Sequence, residues 1–210
     1  MAKSNSDHTE FNQDDVEVLS KETPFKNYFQ VDKYVMRHKV HEGGWSEPLM
    51  REIFERGHAV AILPYDPVED VLILIEQFRP GAFAAGYNPW LLEIPAGIID
   101  EGQTPEDVAR RETHEETGCT AKRVEFIMDY LVTPGGSTES MHLFCVEISI
   151  DEAVEFAGLE HEGEDIRVLK VPLKEALAKL SCGQVHNSMS IIALQWLQLN
   201  HHNIRKKWCK

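Results

Sequence analysis

The chain offers little from which to build disulfides or a zinc site. Its four cysteines, Cys119, Cys145, Cys182 and Cys209, stand far apart with no CxxC pair, so reduced structural thiols are expected. Positive charge is scarce too. Lys and Arg number 21 against 35 Asp and Glu, for a formal net charge of −14, and no Lys/Arg-rich run gathers what there is. That balance argues against nucleic acid or an anionic membrane as the main partner. An anionic substrate would have to be drawn in by local arginines or by metal ions. No stretch approaches ~18 uninterrupted apolar residues, and the opening MAKSNSDHTEFNQDD has no apolar signal core. A cytoplasmic protein with a flexible tail over residues 1–20 is the expectation. There is no internal repeat, no low-complexity segment and no EF-hand pattern, which disfavours a plain Ca²⁺-binding module. The histidines are scattered, and His201–His202 is expected to compensate a helix dipole at its C-terminal end.

What remains reads as strands interleaved with a few helices. Residues 26–40, KNYFQVDKYVMRHKV, alternate as one or two strands; HEGG (41–44) is a turn, and WSEPLMREIFE returns as an extended segment. This hairpin-like unit has aromatics but too little apolar surface for a core of its own. It is expected to form an N-terminal β subdomain over 21–56, a small sheet or a dimerisation arm. HAVAILPYD (58–66), VLILIEQF (71–78), WLLEIP (90–95), VEFIMDYLV (124–132), MHLFCVEISI (141–150) and IRVLKV (166–171) read as further strands, and PGAFAAGYNP (80–89) as a loop. PLKEALAKL (172–180) and NSMSIIALQWLQLNHH (187–202) read as helices. The second has Asn187 or Ser188 as N-cap and its Ile, Leu and Trp residues at core spacing. At 210 residues, this fits one layered α/β (α+β) domain with a small appendage.

The most informative stretch is RRETHEETG at 110–118. Its helix is well delimited: Thr104 as N-cap, Pro105 at the first position and Asp107 at the third resemble a capping box, and Gly118 is a natural stop. Glu112, Glu115 and Glu116 then share one face, being i, i+3 and i+4. The like-charged pair costs ~0.2–0.5 kcal/mol, and acidic groups near a helix C-terminus oppose its dipole by roughly 0.3–1 kcal/mol each. A structural helix gains nothing from this, so something positive should sit against that face. Carboxylates without lysine partners suit Mg²⁺ or Mn²⁺, which take oxygen ligands. The glycines of IPAGIIDEGQ, just upstream, let backbone carbonyls approach a ligand. Arg111 can pair with Glu115 at i, i+4, which would make Glu115 a supporting residue. Three glutamates taken alone would ordinarily be a solvated face.

The spacing changes that reading. From Gly97 the chain runs GIIDEGQTPEDVARRETHEETGC, which resembles the Nudix box, G-x5-E-x7-R-E-U-x-E-E-x-G-U. Gly97, Arg111, Glu112, Glu115, Glu116 and Gly118 fall in register. Gln103 stands where the box has its first glutamate, and Thr113 where an apolar residue is usual. Because Gln103 lies off the acidic face, its departure is expected to weaken a loop-supporting contact and not metal binding. REIFERGHAVAILPYDP, VLILIEQFRPGA, WLLEIPAG, YLVTPGGSTE, GEDIRV and IIALQWLQLNHH extend the likeness over residues 24–204. Together they look like the bacterial ADP-ribose pyrophosphatases of the Nudix superfamily.

The resemblance implies a Nudix α/β/α sandwich over 57–210 and an N-terminal antiparallel subdomain exchanged within a homodimer whose active sites are shared. It implies that the Ala96 carbonyl, Glu112 and Glu116 hold Mg²⁺ (with Mn²⁺ as a substitute), that Glu164 adds a metal contact, and that Glu162 is the general base. Tyr28 and Phe29 match the adenine-stacking position. Arg51, Glu52, Arg56 and Arg79 match substrate-contacting positions; Ile98 and Thr133 line the pocket, and Glu139 lies beyond the PGG turn. Each has an ordinary alternative as a strand, surface or loop residue. The implied activity is Mg²⁺-dependent hydrolysis of ADP-ribose to AMP and ribose 5-phosphate. Another nucleoside diphosphate sugar, such as GDP-mannose or ADP-glucose, is the nearest rival, and a non-catalytic nucleotide sensor a more distant one.

Overall fold

The computed structural model describes residues 11–209, the side chain of Glu162 excepted. The chain divides into two compact units: the described part of Met1–Arg56 together with Thr133–Glu139, and Gly57–Val132 together with Ser140–Lys210.

The first unit is a three-stranded antiparallel sheet in the order β1 (Val16–Lys26), β2 (Gln30–His38), β3 (Leu49–Glu55). Residues 1–10 of the expected tail lie outside the described residues, but the remainder is not a tail. After a 3₁₀ turn at Gln13–Asp15 capped by Asn12, β1 starts at Val16 and pairs with β2 in the register Val16↔His38, Glu17↔Arg37. The polar composition of this stretch hides a strand whose pairing comes from β2, helped by Arg37 Nε donating to Glu17 at 2.7 Å. Residues 133–139 join this unit through β3: the Phe54 N–H donates to Gly136 O at 2.8 Å and the Thr138 N–H to Phe54 O at 3.1 Å.

The second unit is built on a mixed sheet in the order β10 (Phe156–Ala157), β11 (Ile166–Pro172), β5 (Val71–Phe78), β4 (His58–Asp66), β9 (Ser140–Glu147), β8 (Val124–Leu131). Two short strands complete it, β6 (Trp90–Glu93) on β5 and β7 (Ala96–Ile98) on β4. Only β4 and β9 pair in parallel among these strands. The continuous apolar runs of β4 and β5 follow from burial on both faces. Ala59, Ala61, Leu63 and Tyr65, with Leu72 and Leu74, point to one core; Val60 and Ile62, with Ile73 and Ile75, point to the other.

Helix α2 (Pro105–Thr117) covers the second face through Val108 and Ala109. Helices α3 (Leu173–Ser181) and α4 (Ser188–Trp208) cover the first through Leu173, Ala176, Ala193, Leu194, Leu197, Ile204 and Trp208. This is the expected α/β/α sandwich. Each fully buried aliphatic side chain contributes about 1.5–3 kcal/mol by leaving water.

Two expectations need correction. The 80–89 loop contains a short helix, α1 (Pro80–Ala84), started by Pro80 at its first position. Helix α4 runs past residue 202 to Trp208, because Ile204 and Trp208 continue its core-facing stripe. His201 is therefore not at the helix end. Its Nε2 lies 2.8 Å from Asp70 Oδ1 and 3.1 Å from the Tyr65 hydroxyl, while Arg205, Lys206 and Lys207 occupy the last turn. Among the described residues no helix is long and apolar enough to cross a membrane.

Candidate active site

Helix α2 begins as its sequence dictates. The Thr104 hydroxyl oxygen accepts the Asp107 N–H at 3.2 Å, and Gly118 closes the helix at φ 76° with its N–H on His114 O at 2.8 Å. Thr113, the departure from the apolar position, is fully buried, and its hydroxyl donates to Ala109 O at 2.6 Å, so the core accepts it. Gln103 keeps the role of a loop support, since its Oε1 accepts the Asp100 N–H at 3.2 Å as a carboxylate oxygen would.

The acidic face is not solvated. Glu112 is 7% exposed and Glu116 2%. Burial, the largest influence, pushes Glu112 up from 4.5 to about 7, with Arg111 pulling it down and Glu115 and Glu164 pushing it further up. Glu116 is pushed well above the usual carboxylate range by burial and then by Glu112, with the Ala96 N–H and Arg79 acting the other way. The expected positive charge is arginine. Arg111 Nη2 meets Glu112 at 2.8 Å and its Nη1 meets Glu115 at 2.6 Å. Glu115 is thus the half-buried partner of Arg111, and the two glutamates that face inward are 112 and 116.

The loop before α2 is shaped around them. The Ala96 N–H donates to Glu116 Oε2 at 3.0 Å. A Cβ on Gly97 would fall 1.7 Å from Glu112 Oε1, so only glycine leaves that carboxylate its place. Beyond the other end of α2, the Val154 N–H donates to Thr117 O at 3.1 Å and the Gly158 N–H to Glu115 O at 3.4 Å. These bonds lay the acidic loop along the end of the helix. In that loop Glu164 Oε2 accepts the Leu159 N–H at 3.1 Å, and Glu162 ends a 3₁₀ turn followed by Gly163 in the left-handed region at φ 70°.

Among the described residues, no three His, Cys, Asp or Glu side chains stand close enough to enclose a metal ion. The donor set is two buried carboxylates that repel each other in a cradle kept clear by Gly97. That suits a hard cation which takes one or two carboxylates and fills its shell with water and substrate phosphate, as Mg²⁺ does. It does not suit a closed zinc or calcium cage.

The other sequence-selected residues divide between the units. Arg79 and Ile98 belong to the second: Arg79 Nε donates to Glu93 at 2.6 Å, and Ile98 lies 41% exposed on β7. Tyr28, Phe29, Arg51, Glu52, Arg56, Thr133 and Glu139 belong to the first. There Phe29 packs edge-on against Tyr28 and Phe54, with ring centroids at 4.8 and 5.0 Å, and the Arg56 guanidinium lies over the Phe29 ring at 5.6 Å. Tyr28 is 81% exposed, an aromatic face open to a stacking partner. Arg51 and Glu52 are exposed on β3, and the Thr133 carbonyl accepts the N–H groups of Gly136 and Ser137, each at 3.1 Å. Sequence reasoning missed Glu93 and its contact with Asn187. An isolated glutamate in an apolar strand, WLLEIP, was the available signal.

Comparison with known proteins places the chain in a family. The NUDIX domain matches residues 55–188. The chain is similar to the ADP-ribose pyrophosphatase of Escherichia coli (strain K12), 43% identical over 198 residues, which cover 94% of this chain and 95% of that one. It is 34% identical over 188 residues to the GDP-mannose pyrophosphatase of Yersinia enterocolitica, covering 88% and 96% of the two chains. A solved structure described as an ADP compounds hydrolase has the same fold, with a TM-score of 0.70, 22% identity and coverage of 90% and 96%. An acidic helix, its glycine cradle and the sandwich that holds them thus occur together in a chain that belongs to the Nudix family.

Proposed function

We propose that this protein hydrolyses the diphosphate bond of ADP-ribose to AMP and ribose 5-phosphate. The observation that carries the reading is the pair Glu112 and Glu116, buried side by side on α2 at the Gly97 loop. Nearly full-length similarity to named ADP-ribose pyrophosphatases supports the substrate, and the relative named for GDP-mannose favours that nucleotide sugar as the second candidate.

Glu112, Glu116 and the Ala96 carbonyl are the proposed holders of Mg²⁺ (Mn²⁺ can substitute), and Glu164 joins them when substrate draws its loop in. Bound there, the ion would neutralise diphosphate charge and polarise the bond to be cut. Arg79, Arg51 and Arg56 supply the remaining positive charge, in a chain that is otherwise strongly acidic. Glu52 and Glu139 are further substrate-contacting residues, while Ile98 and Thr133 line the pocket. Tyr28 and Phe29 give adenine a face to stack on. Glu162 takes the proton from the attacking water; the left-handed Gly163 beside it gives that segment freedom to approach phosphorus. We further propose a cytoplasmic homodimer in which each active site draws on both chains. Several apolar side chains of the first sheet support it, among them Val18 at 53% and Met50 at 52% exposure.

The test is hydrolysis of a panel of ADP-ribose, ADP-glucose and GDP-mannose, with and without Mg²⁺, and identification of the products. ADP-ribose should be split fastest, only with metal, to AMP and ribose 5-phosphate. Faster cleavage of GDP-mannose would replace the substrate assignment, and nucleotide binding without turnover would indicate a sensor.

A further inference from the structure

Arg79 is held by a chain of contacts that ends at the start of α4. Its backbone N–H donates to Pro89 O at 2.7 Å and its Nε to Glu93 Oε2 at 2.6 Å. Glu93 is 3% exposed, and its other oxygen, Oε1, accepts from Asn187 Nδ2 at 2.8 Å. Asn187 also caps α4, its Oδ1 accepting the Ser190 N–H at 2.9 Å, and the Ser190 hydroxyl oxygen accepts the Ile94 N–H at 2.9 Å. Both oxygens of Glu93 and both ends of the Asn187 amide are therefore engaged. The burial of a carboxylate at this point is compensated by one cation and one amide.

The guanidinium, in contrast, is only partly used. Its Nε edge is fixed, while Nη1 and Nη2 have no hydrogen-bond partner among the described residues, on a side chain 36% exposed. An arginine held through Nε keeps its end-on fork, the edge that matches two phosphate oxygens. Glu93, which holds it, stands three residues before Ala96, whose N–H donates to Glu116 Oε2 at 3.0 Å, so the pair belongs to the same chain segment that meets the acidic helix.

We propose that Glu93 and Asn187 are positioning residues, which together hold Arg79 with its Nη fork directed at the substrate diphosphate. The inference rests on the pyrophosphatase reading above. It adds that a buried pair outside the acidic helix sets the geometry of the anion contact. A carboxylate fixed on one side by an amide narrows the orientations open to the guanidinium, which lowers the cost of ordering it when substrate binds.

A double-mutant cycle at saturating Mg²⁺ tests this, using Arg79→Ala, Glu93→Gln and the combination. Glu93→Gln should lower kcat/KM by about ten- to a hundredfold, as expected for loss of a charge-assisted hydrogen bond. In the Arg79→Ala background the same change should cost less than about twofold, because coupled residues are not additive. Asn187→Ser retains the helix cap but removes the amide donor; its smaller loss should also vanish once Arg79 is gone. The NMR signal of the Arg79 Nε–H should be protected from exchange in the parent and lose that protection in Glu93→Gln. Equal losses in both backgrounds, an Arg79→Ala enzyme with parental kcat/KM, or an unaltered Nε–H signal would each overturn the proposal. If Glu93→Gln does not fold, Asn187→Ser gives the same decision through the same cycle. Failure of the substrate reading is seen separately, as a parent enzyme inactive on ADP-ribose. The cycle is then run on the panel compound the parent cleaves fastest.

Discussion

Glu112 and Glu116 are kept in a place where charge is costly, and this has a consequence for stability that ordinary core residues do not share. In the metal-free fold, burial is the largest influence raising both carboxyls; Glu112 goes from 4.5 to about 7 with Arg111 opposing and Glu115 and Glu164 adding to the rise, while Glu116 is raised further by Glu112. A carboxyl raised on folding favours the protonated fold. Its stabilising contribution is complete below the unfolded value of 4.5 and is lost as pH rises through about 7. Without metal, the parent's melting temperature should therefore fall over that window relative to Glu112→Gln. At neutral pH, Glu112→Gln and Glu116→Gln should melt no lower than the parent while losing most Mg²⁺-dependent turnover. A large drop in the metal-free melt would instead make them structural. Glu162→Gln should reduce kcat by roughly 10²–10⁴, the usual worth of a general base, with KM and metal affinity little changed. Glu164→Gln should raise the Mg²⁺ concentration giving half-maximal rate. Near-parental kcat in Glu162→Gln would move the base elsewhere, with Glu115 the next candidate.

At the scale of elements, each strand of the second unit is decided by what covers it. β4 and β5 carry unbroken apolar runs because α2 lies on one face and α3 with α4 on the other. Helix α2 needs its cap more than most, since acidic residues near its C-terminal end work against the dipole. Thr104→Ala, which removes the acceptor for the Asp107 N–H, should cost about 0.5–2 kcal/mol in a urea titration. The loss of activity should be no larger than the unfolded fraction explains. A loss far beyond that would mean the cap also sets the angle at which the glutamates are presented.

For the whole molecule, the first sheet has little core of its own and leaves apolar residues such as Val16, Val18, Leu19 and Phe25 exposed at 44–53%. Exchange of this unit in a homodimer would cover them and bring the aromatics of one chain to the acidic helix of the other. Mixing Tyr28→Ala/Phe29→Ala protein with Glu116→Gln protein should then restore part of the activity, because half of the sites in a mixed dimer are intact. No recovery after demonstrated subunit exchange would favour self-contained sites.

The longer strands of the second unit, the limits of α2 and the glutamates on one face were legible along the chain, because alternation, caps and i, i+4 spacing are local. The strand at Val16–Lys26 was hidden by its polar composition: it is almost wholly exposed and shows no buried face to read, although its partner β2 follows directly. His201 looked like a helix end until Ile204 and Trp208 found the core. Gly97 could be read as a motif glycine, but only the approach of Glu112, fifteen positions on, explains why no side chain fits there. Arg79 was identified as a family position, yet its hold on Glu93 leads on to Asn187 through a bond that spans 94 positions. Local sequence thus determined the elements and the chemical groups on offer. Tertiary structure decided which of those groups lost water and which charges were left to face one another, because burial and proximity arise only when distant segments pack.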